Sequence, residues 1–244
     1  METKDWYLEY ATGSISNRNQ VCKVNEFPSI VKDNIGKEIY RSMFLYDQTI
    51  VEFLNKNQTV VGFNGLQSID KIVIDIDYII NDNNLGNQTR NKVLNVIDTM
   101  EKLTIDPTHY NLWFSGKGFH IHLANVYEFE DSNQIAKQVR ATMQRDFGEH
   151  IDLIYDSRRL IRSGFSLNKK TGLYKIPVSF DELETLNYQQ ITELAKEPRQ
   201  DYKPHRIKQE KLTALEAMDM SRKNIEEVRK VFNNAKGETT RFIT

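Results

Sequence analysis

"KIVIDIDYII", Lys71 to Ile80, is the stretch on which the reading of the whole chain turns. It is dense in β-branched residues and is followed by the polar run "NDNNLGNQ", so it reads as a buried strand leading into a loop. Period two places Asp75 and Asp77 on one face together with Val73, and Ile74 and Ile76 on the other. Two carboxylates on one face of a buried strand repel, and each is costly to take out of water. A positive group is therefore expected beside them, and a divalent cation bound by carboxylate oxygen is the simplest. The alternative is a strand end at which both acids reach water.

Working outward, residues 88–103 carry Val93, Leu94, Ile97, Met100 and Leu103 at helical spacing. "YNLWFSG" and "FHIHLANV" read as two strands joined at Gly116–Gly118 in a hairpin. Residues 131–147 return to helix, with Asp131 or Ser132 as its cap. Residues 151–178 read as short strands and turns, and Ser179 with Glu182 forms a capping box for the next helix. On the N-terminal side, residues 38–57 read as helical in part, with Asp47 capping "QTIVEFLNK", and the first 36 residues read as irregular. After Leu194, "KEPRQDYKPHRIKQEK" reads as a linker or surface arm. Residues 221–235 read as a terminal helix capped by Ser221.

Composition limits the function classes. The 33 Lys and Arg balance 34 Asp and Glu, for a formal net charge of −1, so contact with nucleic acid must come from local basic clusters. The single cysteine, Cys22, excludes an internal disulfide and a cysteine-built zinc site. No run of about 18 apolar residues is present, so no membrane span is expected. "METKDWYLEY" lacks the apolar core of a signal peptide, and a soluble, cytoplasmic protein is the expectation.

Two further stretches carry chemistry. In "FSGKGFHIHL", Gly116 and Gly118 permit close backbone approach, Lys117 adds charge and Ser115 a hydroxyl, which together suit a phosphate cradle. His120 and His122 share a strand face. A glycine hairpin with two hydrogen-bonded histidines is the structural alternative. In "HIDLIYDSRRLIRSGFSLNKKTG", Asp152 precedes a dense cationic segment of Arg158, Arg159, Arg162, Lys169 and Lys170. Arginine forks and lysine point charges both suit phosphate, and the interleaved Leu160, Ile161, Phe165 and Leu167 tie this segment to a core.

Taken in order, these stretches resemble the archaeo-eukaryotic primase superfamily, in particular the primase-polymerases of viruses, plasmids and related mobile elements. An acidic D-x-D after a hydrophobic run is matched by Asp75 and Asp77. A Ser–Gly-rich turn ending in histidine is matched by Ser115, Gly116, Lys117, Gly118 and His120. A hydrophobic residue plus Asp is matched by Ile151 and Asp152, and the viral "RRLIR…SLN-K-TG" pattern by Arg159 to Gly172. The resemblance covers roughly residues 40–180. Many relatives carry a proline where this chain has Ser163–Gly164.

The resemblance implies an α+β fold of the primase type. Its sheet would be RRM-like, mainly antiparallel and flanked by helices. A smaller N-terminal α/β unit (about 1–65) would precede a catalytic core (66–200), with a charged segment and C-terminal helix beyond 201. It implies template-dependent nucleotidyl transfer in DNA replication or repair. Asp75, Asp77 and Asp152 would hold two Mg²⁺ or Mn²⁺ ions. Ser115 to Gly118, His120, Arg159, Arg162 and Lys169 would hold the nucleotide, with His120 counted in the catalytic set. Arg158, Arg162, Asn168, Lys169 and Lys170 would contact nucleic acid. The implied partners are a single-stranded DNA template, a primer strand, NTP or dNTP, and a helicase or accessory primase domain. A metal-dependent phosphoesterase or nuclease, and a catalytically silent nucleic-acid-binding module, are the other classes these residues admit.

Overall fold

The acidic stretch lies at the end of a long strand in the middle of one sheet. In the computed structural model, which describes residues 5–77, 83–129, 132–199 and 201–204, the chain begins β1 (Tyr7–Thr12), β2 (Gln20–Lys23), α1 (Phe27–Asp33), β3 (Ile39–Tyr46), α2 (Thr49–Asn57) and β4 (Gln67–Ile76). It continues α3 (Asn83–Lys102), β5 (Tyr110–Phe114), β6 (Phe119–Phe129) and α4 (Ser132–Phe147). It then forms β7 (Leu160–Arg162), β8 (Leu167–Asn168), β9 (Leu173–Tyr174), β10 (Ile176–Val178), α5 (Phe180–Thr185) and α6 (Tyr188–Leu194). The architecture is α+β, a mainly antiparallel sheet flanked by helices. Its strand order is β10-β5-β6-β4-β3-β1-β2, with β7 also on β3 and a separate β8–β9 ribbon.

The faces of β4 sort as alternation requires. Ile72, Ile74 and Ile76 join Leu112, Phe114, Ile121 and Leu123 in a core closed by Val93, Val96, Ile97 and Met100 of α3 and Ile135, Val139 and Met143 of α4. The opposite face receives Asp75, His120 and Trp113 side by side, because Asp75 pairs with His120 and His120 with Trp113 across the strands. One edge of β4 is shared. Its first half pairs with β3, from Tyr46↔Gln67 to Phe44↔Ile69. Further along, Asp152 takes that edge in an isolated bridge to Asp75. The sheet thus runs without a break from strands before residue 65 to strands after it.

Several expectations need correction. The first 36 residues are not irregular, for they hold β1, β2 and α1, with Leu8, Cys22, Phe27, Ile39 and Leu45 in a second small core. Helix occupies only Thr49–Asn57 of residues 38–57, since residues 39–46 form β3. That strand is buried at seven of its eight positions, so it shows no period-two signal. The strand at 71–80 starts earlier, at Gln67, and ends at Ile76. Asp47 accepts from Thr49 N at 3.0 Å, just ahead of α2. The hairpin at Gly116–Gly118 and the Ser179–Glu182 capping box form as expected. Part of the expected surface arm is anchored: Arg199 is nearly buried, with ion pairs to Glu182 at 2.8 Å and Asp201 at 2.7 Å. Asp131 and the 221–235 helix lie outside the described residues. Among the described residues no helix is long and apolar enough to cross a membrane.

Candidate active site

Asp75 and Asp152, 77 positions apart in the chain, are joined backbone to backbone: Asp152 N donates to Asp75 O at 2.8 Å. The Asp75 side chain is mostly buried. His120 Nε2 lies 3.2 Å from its Oδ1, but the N–H misses hydrogen-bond alignment, and Oδ1 is a buried oxygen with no hydrogen-bond partner. Burial alone would raise the Asp75 carboxyl. His120, Lys175 and Arg159 outweigh it and hold the group below its usual range, so Asp75 is ionised at neutral pH. Asp77 is held by Lys117 Nζ at 2.8 Å. Asp152 is exposed as a residue, yet its carboxyl is pushed up by partial burial and then by the Asp75 and Asp77 charges.

The turn that carries Lys117 closes on itself. Ser115 N donates to Gly118 O at 2.8 Å, and Gly118 N donates to Ser115 Oγ at 3.1 Å. Gly116 sits at φ +86°, and a Cβ there would crowd Asn168 and the Leu173 carbonyl, so this turn packs on the β8–β9 ribbon. Lys117 therefore stands between the acids and the basic ribbon.

A cleft of about 510 Å³ opens between these parts. The acids Asp75 and Asp77, the turn residues Ser115 and Lys117, and His120 line it. Arg159, Arg162, Asn168, Lys169 and Lys170 line it as well. Of the residues singled out in the sequence, Asp152, Gly116, Gly118, His122 and Arg158 do not line it. Arg158 instead gives its carbonyl to Arg18 at 2.9 Å. The cations are not equally available. Arg162 is nearly buried, paired with Glu38 at 3.2 Å, bonded to Leu167 O at 2.7 Å and stacked on the Tyr40 ring. Lys169 donates to Gly13 O at 2.6 Å. Arg159 is 43% exposed, its Nε donating to Ile154 O at 2.8 Å and lying 3.5 Å from Asp156, and Lys170 is exposed.

Sequence reasoning missed Glu38 and Tyr40 on the cleft wall and, above all, Lys175. This lysine is completely buried. Its Nζ lies 2.7 Å from His120 Nδ1, 3.1 Å from His122 Nε2 and 3.0 Å from Arg162 O. His122 is buried too and stacks on Trp113 with ring centroids 5.4 Å apart. Burial and then Lys175 push both histidines below their usual range, against the pull of Asp75 on His120, so both rings are neutral at pH 7. The one local signal for Lys175 was a lysine inside the apolar run "LYKIPV". Trp113 explains Gly164, because a Cβ there would lie 2.6 Å from the indole. The adjacent Phe165 adopts φ +62°, rare for an aromatic residue, and its ring packs edge-on against Trp113.

The donor set suits a hard divalent cation: all carboxylate oxygen, one atom of it buried without a hydrogen bond. Among the described residues no three acidic, histidine or cysteine side chains already converge on one point, and Lys117 supplies the positive charge beside Asp77. Clustered acids of this kind cost stability, which gives a signed prediction. A carboxyl whose folded pKa is raised destabilises the fold when ionised. Asp152→Asn should therefore raise the melting temperature at pH 7 in chelator. The gain should fade as pH falls through the raised folded value and be gone below about 3.8, the ordinary value. Melting curves of both proteins across pH check this.

No protein-family model matches the chain, and no curated protein matches it.

Proposed function

We propose that this chain is a metal-dependent nucleotidyltransferase of the primase-polymerase type, extending or initiating a strand on single-stranded DNA from NTPs or dNTPs. The observation that carries this reading is the backbone bridge between Asp75 and Asp152. It brings the third acid beside the first, and the first two line a cleft that is also lined by basic residues. Acids and basic residues lining one cleft suit a metal–triphosphate, whose metal would lie by the acids and whose phosphates by the basic residues.

Asp75, Asp77 and Asp152 would hold Mg²⁺ or Mn²⁺. When bound, such ions stabilise charge on the transferring phosphate and make the primer 3′-hydroxyl more acidic. The rest falls to the chain's own groups. Lys117 leaves Asp77 for a phosphate oxygen as the triphosphate enters. The Ser115–Gly118 turn brings the Gly116 and Lys117 backbone close to the phosphates. His120, neutral, donates a hydrogen bond without adding charge, and Arg159 neutralises the far phosphates. Holding the triphosphate in line with the incoming hydroxyl is most of what phosphoryl transfer requires. Lys169 and Lys170, at the exposed rim, track the template backbone, while Arg162 braces Tyr40 and Glu38. A helicase or accessory primase domain would act with this chain in a viral or plasmid setting.

Labelled DNA incubated with Mn²⁺ separates the readings. Nucleotide-dependent extension supports synthesis, and cleavage without nucleotide supports a nuclease. Binding without either reaction supports a silent module. Template contact makes its own prediction. Log affinity for single strands falls with log salt by roughly 0.7 per phosphate contact. Reversing Lys169 and Lys170 to Glu should weaken binding and flatten that slope by about 1.4. An unchanged slope removes both lysines from the template path.

A further inference from the structure

We propose that Lys175 is a positioning residue whose buried amine fixes the tautomer of His120, keeping that ring's proton on Nε2, the nitrogen on the Asp75 side. The consequence for activity rests on the nucleotide reading of the cleft; the proton assignment rests on the three contacts of a charged Lys175. Three groups surround Lys175 Nζ: His120 Nδ1, His122 Nε2 and the Arg162 carbonyl. The carbonyl can only accept. Burial and then the Lys71 charge push the Lys175 amine well below its ordinary range, against the pull of Asp75. As an ammonium it carries three donors and no acceptor, so all three contacts are satisfied when both ring nitrogens are bare. His120 must then be protonated at Nε2 and His122 at Nδ1.

The placement of the amine shows why such a device works. His120 comes from β6 and Arg162 from the end of β7, and those strands are not neighbours in the sheet. One amine reaches both, so it fixes the histidine relative to the arginine segment, and both line the cleft. The backbone around Lys175 is itself pinned: its N donates to Ser166 O at 2.9 Å, and its O accepts from Phe165 N at 2.7 Å. The left-handed Phe165 and the close approach of Gly164 to Trp113 belong to the same wedge. Strain of this kind persists where surrounding contacts over-determine it. A bare Nε2 would face the Asp75 carboxylate lone pair to lone pair, and could not donate to a phosphate in the cleft. The lysine excludes that state without touching substrate, since it does not line the cleft.

The test is long-range ¹H–¹⁵N NMR of the full chain labelled at histidine, with the His120 signals identified as those lost in His120→Gln. Wild type should show His120 neutral with its proton on Nε2, and His122 with its proton on Nδ1. In Lys175→Met, which keeps length and removes the amine, His120 should become a mixture of tautomers. Affinity for a non-hydrolysable nucleoside triphosphate should fall about 10- to 100-fold, the scale of one charge-assisted hydrogen bond. A His120 proton on Nδ1 in wild type overturns the proposal, and that measurement decides alone should Lys175→Met not fold. An unchanged tautomer in the variant, or unchanged affinity, overturns it equally. If wild type has the expected tautomers and binds no nucleotide, the nucleotide reading fails and the assignment of Lys175 to His120 stands.

Discussion

Asp75→Asn should abolish nucleotide incorporation, by about a thousandfold or more, while the protein stays folded. Metal-held charge stabilisation is worth several kcal/mol, and each ~1.36 kcal/mol is a decade in rate. Asn keeps the shape of the side chain and removes the charge. The bridge to Asp152 and the register with His120 are backbone features, so neither depends on the carboxylate. Single-turnover primer extension beside a melting curve checks both halves. A rate within tenfold of wild type would remove Asp75 from the chemistry.

The second large effect is expected at Gly118. A Cβ there would fall on the Ile76 carbonyl and within 2.6 Å of Asp77 Oδ1. Neither neighbour is the loose end of a flexible chain, so the hairpin or the acid must move. Overpacking of this kind costs about 1–3 kcal/mol. A displacement of about 1 Å in a group that positions substrate can cost about 100-fold in rate. Gly118→Ala should therefore lose both stability and activity. Gly172→Ala is the control. Its φ of +72° makes a side chain strained, but a Cβ there meets nothing within 4 Å. It should cost about 1 kcal/mol and leave activity unchanged. Equal activity losses in the two variants would show that the turn responds to any glycine replacement, not to contact with Asp77.

What was legible in the sequence was whatever is written locally. The β-branched run of β4, the glycine hairpin, the α3 periodicity and the capping box each carry their signal within a few residues. β3 was not legible, because a strand buried on both faces loses alternation, and "IYRSMFLY" also fits a helix. β1 was hidden by Glu9, a completely buried acid in "YLEYAT" whose partner, Arg18, lies nine residues on and binds it with two hydrogen bonds of 2.9 Å. At the candidate site, the ordered motifs named most of the cleft lining. They did not name Lys175, whose histidine partners lie 55 and 53 positions away and meet it only once β6 and the 163–178 segment are folded together. Nor did they show that Arg162 is already occupied by Glu38 and Tyr40.

Anomalous diffraction from crystals soaked with Mn²⁺ and a non-hydrolysable nucleoside triphosphate tests the central claim most directly. The account predicts manganese peaks at coordination distance from Asp75, Asp77 and Asp152, with Lys117 moved off Asp77 and onto the triphosphate beside the Ser115–Gly118 turn. Manganese bound elsewhere, or a nucleotide seated away from this turn with the Lys117–Asp77 pair intact, would contradict it.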